Sequence, residues 1–151
     1  MTNHARENEN ANAVVLSAKD VVKYYYKNEP QRLPDGTRRY RTTVRSVDRV
    51  SLEVRRGEVV GVLGETGCGK STLGRLLSGL EPQTSGEILL QGEPTAQLLR
   101  RDPLLLRRKA QMIFQNPFDV FDVRHRIGRS LMDALRLHGI GESRDERVNI
   151  I

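Results

Sequence analysis

Tryptophan is absent from this chain of 151 residues, and cysteine occurs once, at Cys68. A single thiol leaves no internal disulfide to staple the fold, and it fits a reducing compartment. The three histidines, His4, His125 and His138, are scattered without ligand spacing, which argues against a site of imidazole and thiolate ligands. No apolar run approaches the roughly 18 residues that a membrane span needs. The opening stretch 1–12 is polar and Asn-rich, lacks the apolar segment of a secretory signal, and reads as the disordered tail of a cytosolic protein. The whole is 37% hydrophobic and 29% charged, a globular balance with enough length for one domain.

A formal net charge of +6 is carried mostly by arginine. A nucleic-acid partner would explain the surplus. So would a solvated surface, or one that attracts ATP phosphates and anionic headgroups. The aromatic pattern of RNA-binding sheets and the spacings of zinc fingers are both missing, so nucleic acid is not the expected partner.

Residues 13–26 are rich in Val, Leu and Tyr and favour a strand. A polar stretch with the turn signal Pro34-Asp35-Gly36 follows, and 44–54 alternates imperfectly. Together they read as an antiparallel arm with a basic loop between its strands. Residues 59–63 form a short continuous apolar run, the pattern of a strand buried on both faces. Leu73, Leu76, Leu77 and Leu80 share one face of a helix, which Gly79 and Pro82 stop. A strand is expected over 86–91. Asp102-Pro103 opens a helix through Lys109, and 110–115 returns to strand-like sequence before Asn116-Pro117. Ile127, Leu131 and Leu135 mark a further helix capped by Gly139. Ser143 and Glu146 form a capping-box pattern for another. The apolar end Asn149-Ile150-Ile151 on that newly begun helix leads us to expect a continuation of the domain.

Gly64-Glu65-Thr66-Gly67-Cys68-Gly69-Lys70-Ser71 matches G-x-x-x-x-G-K-[ST] at every fixed position. Each residue type has a reason. Glycines let the backbone wrap closely enough for successive N–H groups to face phosphate oxygens. The helix starting near Lys70 turns its positive end to the same place. Lys70 is expected to reach the β- and γ-phosphates, and the Ser71 hydroxyl to ligate Mg2+. A chance match in a chain this long arises on the order of once in two hundred, and here the loop sits between a buried-strand pattern and an amphipathic helix. ATP or GTP binding is therefore expected, and the missing N-K-x-D motif weighs against GTP. Tyr24-Tyr25-Tyr26 offers aromatic faces for adenine, or simply packs in the arm. Cys68, near a helix N-terminus, invites a redox switch; the plainer reading is a small residue at a free position.

The order of aromatic strand, phosphate loop and Gln115 at a strand end resembles the nucleotide-binding subunit of ABC transporters. V-S-L-E-V-R-R-G-E-V-V-G-V-L-G-E-T-G-C-G-K-S-T-L over 50–73 and Q-M-I-F-Q-N-P-F-D-V-F-D over 111–122 are similar to the oligopeptide, dipeptide and nickel importer ATPases. The resemblance covers about residues 14–151. It implies an α/β P-loop NTPase core over 13–115 with an N-terminal antiparallel β arm. A Q-loop and the start of a helical subdomain would follow over 116–151, the whole being truncated. ATP would be held by Tyr25 on adenine and by Gly64, Glu65, Thr66, Gly67, Cys68, Gly69, Lys70, Ser71 and Thr72 on the phosphates. Gln115 would touch Mg2+ and the attacking water, joining Lys70 as a catalytic residue and Ser71 as a metal ligand. The implied partners are membrane-spanning permease subunits and a second ATPase subunit, with the chain peripheral at the cytoplasmic face of the membrane.

Departures qualify the activity. The chain contains no L-S-G-G-Q signature, no apolar run ending in Asp-Glu and no switch histidine. Asp119 and Asp122 follow Gln115 too closely to stand in for the acids. Hydrolysis by this chain alone is therefore not expected. The alternatives are a non-hydrolysing ATP-binding module and a nucleic-acid-linked ABC ATPase.

Overall fold

Two long strands rich in β-branched residues, β1 (Val14–Tyr26) and β4 (Thr43–Arg55), pair antiparallel, with Leu16 opposite Val54 and Ala18 opposite Leu52. This computed structural model describes residues 12–26, 30–32, 34–36, 38–40, 43–116, 118, 121–122 and 124–151. The expected tail over 1–12 lies outside the described residues except for Asn12, as do Pro117 and Asp119. The register slips on either side of Val21, where Asp20 takes a positive φ of 47° and its N–H donates to Ser51 Oγ at 2.9 Å. Such a bulge breaks strict alternation, which is how two successive residues, Val21 and Val22, are both buried.

On the other side of β1 lies β5 (Ser85–Leu90), antiparallel, followed by β6 (Glu93–Pro94), so the sheet runs β4-β1-β5-β6. Gln91 and Gly92, both at positive φ, make the two-residue turn between β5 and β6. The basic loop of the arm holds a small hairpin of its own, β2 (Pro30–Arg32) with β3 (Arg38–Tyr40), around the expected Pro34-Asp35-Gly36 turn.

One face of the sheet receives α1 (Lys70–Leu77). Leu73 and Leu76 join Ala18, Val21, Val47 and Ile88 in the main core, with Leu77 packed at its edge. Leu80, expected on the same helical face, lies past the helix end and is exposed. A second cluster joins Leu90, Leu98 and Leu106, contributed by β5, by α2 (Thr95–Arg101) and by α3 (Pro103–Lys109). Asp102 caps α3 as expected, its carboxylate accepting from the Leu105 N–H at 2.9 Å. α2 is not foreseen by periodicity, because a single residue, Leu98, supplies its buried apolar contact.

Two compact units divide the chain, Met1–Ala110 and Gln111–Ile151. The second contains α4 (Ile127–Leu137) and α5 (Arg144–Ile150). Gly139 ends α4 as expected: at φ 64° it donates to Arg136 O, while Ile140 donates to Leu135 O, the paired bonds of a Schellman cap. The capping box of α5 is only half formed. Ser143 accepts from the Glu146 N–H, but the Glu146 carboxylate accepts from Glu142 N rather than from Ser143 N.

In the same unit Arg124 clasps Asp122 with two side-chain bonds, at 2.9 and 2.7 Å, and one backbone bond at 3.0 Å. These hold the Asp122 carboxyl at a pKa of about 2, below its ordinary 3.8. A depressed carboxyl gives its contribution above the unfolded-chain value and loses it as pH falls through the folded one. The Asp122 carboxyl carbon should therefore titrate by NMR near pH 2, and at higher pH in Arg124→Ala, where the backbone N–H of residue 124 still donates. An unchanged midpoint in the variant would remove the clasp as the cause.

Two expected strands do not form. Residues 59–63 are irregular, with Val59 and Leu63 exposed at 95% and 96%. Residues 110–115 likewise form no strand, with Ile113 at 97%. A strand exists only with a ladder partner, and among the described residues neither run has one. Their composition is that of strands covered on both faces, which elements packed above and below a sheet would supply.

Candidate functional site

The loop 64–71 leaves the apolar run and enters α1 through Gly67 and Gly69, at φ 85° and 100°. Lys70 folds back across the loop, its ammonium donating to Gly64 O at 2.8 Å and to Glu65 O at 2.7 Å, with Cys68 Sγ at 3.7 Å. A cation bridging two carbonyls of its own loop stands in the middle of the ring of backbone that would wrap an anion. Space beside Gly67 is open, with nothing within 4 Å of where a Cβ would stand. Glu65, Thr66, Cys68 and Ser71 are exposed along the same loop. The amides of Lys70, Ser71 and Thr72 belong to the first turn of α1, where no intrahelical carbonyl can reach them.

This donor set fits a polyphosphate: one ammonium, first-turn amides and an exposed hydroxyl. It fits Mg2+ less completely. Among the described residues no cluster of His, Cys, Asp and Glu could hold a metal ion, so the Ser71 hydroxyl would be the loop's ligand, with phosphate oxygens and water completing the shell. A separate cleft of about 390 Å3 is lined by Ser17, Lys19, Ser51, Glu53, Glu87 and Leu89. It contains no residue of the glycine loop and no helix N-terminus, so it does not compete as a phosphate site.

The loop is seated on β4. A Cβ on Gly69 would stand 2.0 Å from the Ser46 carbonyl oxygen. Ser46 Oγ donates to Thr72 Oγ1 at 2.9 Å, and Arg75 reaches the same oxygen at 3.4 Å. Thr72 is buried, so what it offers on the open side of the loop is its backbone amide.

Tyr24 and Tyr25 part company. The Tyr24 hydroxyl donates to Asp48 at 2.8 Å, which raises its pKa, and the Arg45 guanidinium lies 5.5 Å from its ring centre. Tyr25 instead faces α1. Its phenol is the leading cause that raises the Arg75 pKa, and it helps to lower that of Glu81. The Lys23 ammonium stands 5.1 Å from the centre of the Tyr25 ring. Burial pushes the Glu81 carboxyl upward, but bonds from Tyr25, Lys23 and Arg75 outweigh it and leave the group below its ordinary value. Lys23 and Arg75 approach Glu81 at 3.0 and 3.3 Å. Nothing in the loop motif points to Ser46, Arg75 or Glu81. The one sequence signal is the i, i+3 spacing of Thr72 and Arg75 on a helix.

Gln115 belongs to the other unit, exposed on a stretch without regular structure. The expected site residues before it, Tyr25 and residues 64–72, all lie in the first unit.

The family model described as ABC transporter matches residues 47–149, well over half of the chain. The chain belongs to the ABC transporter family. Among curated relatives, a protein of Brucella abortus provisionally named as a peptide import ATP-binding protein is 45% identical over 109 residues, covering 70% of this chain and 31% of its own length. One of the same description from Brucella ovis is 43% identical over 99 residues, covering 66% and 31%. This ABC chain thus spans about a third of the length of the curated relatives it matches.

A dimeric ATP-binding cassette solved in a post-hydrolysis state with ADP and Pi has a TM-score of 0.64 at 24% identity, over 87% of this chain and 52% of that one. A second dimeric structure, of a bacterial ABC transporter cassette, has a TM-score of 0.65 at 23% identity over the same shares. At such identities the likeness establishes the fold, a mixed α/β ABC cassette of which this chain covers part. The ABC ATPase domain is a nucleotide-binding one. No helix among the described residues is long and apolar enough to cross a membrane.

Proposed function

We propose that this chain is the ATP-binding part of an ABC transporter subunit that drives import of a small solute, with peptides the favoured class and nickel the other. The observation that carries the reading is the Lys70 ammonium held at 2.8 and 2.7 Å across the glycine loop, in a chain of this family. Phosphate oxygens are stronger acceptors than the two carbonyls it now bridges, since both partners of the new bond are charged. Lys70 would leave Gly64 and Glu65 for the β- and γ-phosphates, the first-turn amides of α1 would face the same oxygens, and Ser71 would ligate Mg2+. The metal, when bound, neutralises charge between the β- and γ-phosphates.

Tyr25 is the favoured platform for adenine, on the family resemblance of its position and because the Lys23–Glu81–Arg75 network links it to α1. Gln115 is assigned to Mg2+ and the attacking water. Names of the Brucella relatives support peptides as cargo, and the dimeric cassettes support pairing with a second ATPase subunit. Permease subunits at the cytoplasmic face of the membrane complete the assembly.

A ligand that binds only the folded chain adds RT ln(1 + [L]/Kd), about 2.7 kcal/mol at a hundredfold excess over Kd. Mg-ATP should therefore raise the melting temperature, and Lys70→Ala should abolish the rise. An equal rise in the variant would take the loop out of the reading.

A further inference from the structure

One guanidinium links the two ends of the proposed nucleotide site, directly at α1 and through Glu81 and Lys23 at Tyr25. Arg75 Nη2 donates to Thr72 Oγ1 at 3.4 Å, one residue after Ser71 in the first turn of α1. Its Nε donates to Glu81 at 3.3 Å. Glu81 is in turn held by Lys23 at 3.0 Å, the residue whose ammonium stands 5.1 Å from the Tyr25 ring centre. Lys23 is fixed a second time by donating to Pro82 O at 2.7 Å.

The side chains of Lys23 and Glu81 are only 13% and 20% exposed, so this pair is better shielded from water than an ordinary surface ion pair, while Arg75 is 39% exposed. A planar guanidinium presents several donors in fixed directions. It can hold the Glu81 carboxylate and the Thr72 hydroxyl at a set separation, which an ammonium does less well.

We infer that Arg75, oriented by Glu81, is a positioning residue that fixes the Tyr25 ring relative to the phosphate loop and so makes base recognition and phosphate recognition act together. This rests on the proposed ATP reading and deepens it. Arg75 touches no nucleotide atom itself. Its work is to keep the base platform at the distance from α1 that the length of a nucleotide demands. Without the guanidinium fork, phosphate binding persists on the glycine loop, while the added affinity from the base is lost because the ring is free to swing with the end of β1.

The test is a titration calorimetry comparison of Mg-ATP with Mg-tripolyphosphate on the full 151-residue chain, carried through Arg75→Lys, Glu81→Gln and Tyr25→Ala. In the parent, ATP should bind more tightly than tripolyphosphate. Arg75→Lys keeps the charge but loses the fork, and the ratio of the two affinities should shrink by about threefold to tenfold, the worth of one such hydrogen bond. Glu81→Gln should shrink it in the same direction. Tripolyphosphate affinity should stay near the parent value in both, which also certifies that the variants are folded.

Equal losses for both ligands, with the ratio preserved, would reduce Arg75 to a structural strut and overturn the inference. A full ratio in Arg75→Lys together with a collapsed ratio in Tyr25→Ala would overturn it while leaving the stacking role intact. A parent chain that binds neither ligand would refute the ATP reading itself, and a parent that binds both equally would refute the base platform.

Discussion

Gly69→Ala is expected to cost most of the ATP affinity, about a hundredfold, while leaving the rest of the sheet in place. Two penalties coincide at this residue. At φ 100° an L side chain is strained by about 1–2 kcal/mol. The added methyl would also stand 2.0 Å from Ser46 O and 3.1 Å from its carbonyl carbon. That carbonyl belongs to a paired strand, so relief requires the start of α1 to move off β4, taking the Lys70 and Ser71 amides with it. Gly92→Ala is the matched control: φ is 80° there, but nothing lies within 4 Å of the new methyl. Calorimetric titration with Mg-ATP should show near-parental binding in Gly92→Ala. Parental affinity in Gly69→Ala would mean that the seat of the loop on Ser46 is not needed.

Leu76→Ala is expected to destabilise the first unit by about 2–5 kcal/mol in urea unfolding, the usual cost of emptying a buried leucine site. Leu76 is fully buried on the inner face of α1, among Val21, Val47, Leu73 and Ile88. Such a cost is a large share of the stability of a small domain. Leu80→Ala, one helical turn further and exposed, should stay within about 0.5 kcal/mol. Comparable losses at both positions would show that α1 does not carry its load through the face described.

The contrast between those leucines shows what could be read in advance and what could not. Helical spacing gathers Leu73, Leu76, Leu77 and Leu80 alike, but Gly79 at φ 67° turns the chain before Leu80 can face the core. The glycine loop, the Asp102 cap and the Gly139 cap were legible because each depends on a few adjacent residues. The arm was legible because valines recur along both strands and the first ends in a run of tyrosines. Residues 59–63 and 110–115 mislead for the opposite reason. Their apolar composition describes a strand covered on both faces, and both cover and pairing are properties of the surroundings that local sequence does not carry. The Arg75–Glu81–Lys23 network was invisible on the same grounds, since its members come from β1, α1 and the segment after α1, and meet only once the helix is docked.

The most direct measurement follows backbone amides by NMR during titration with Mg-ATP, Mg-tripolyphosphate and adenosine. If the loop 64–71 holds the phosphates, the amides of Gly67, Gly69, Lys70 and Ser71 should move with the first two ligands and stay still with adenosine. Shifts centred instead on the cleft lined by Ser17, Ser51 and Leu89, with the loop amides unmoved by ATP, would contradict the account.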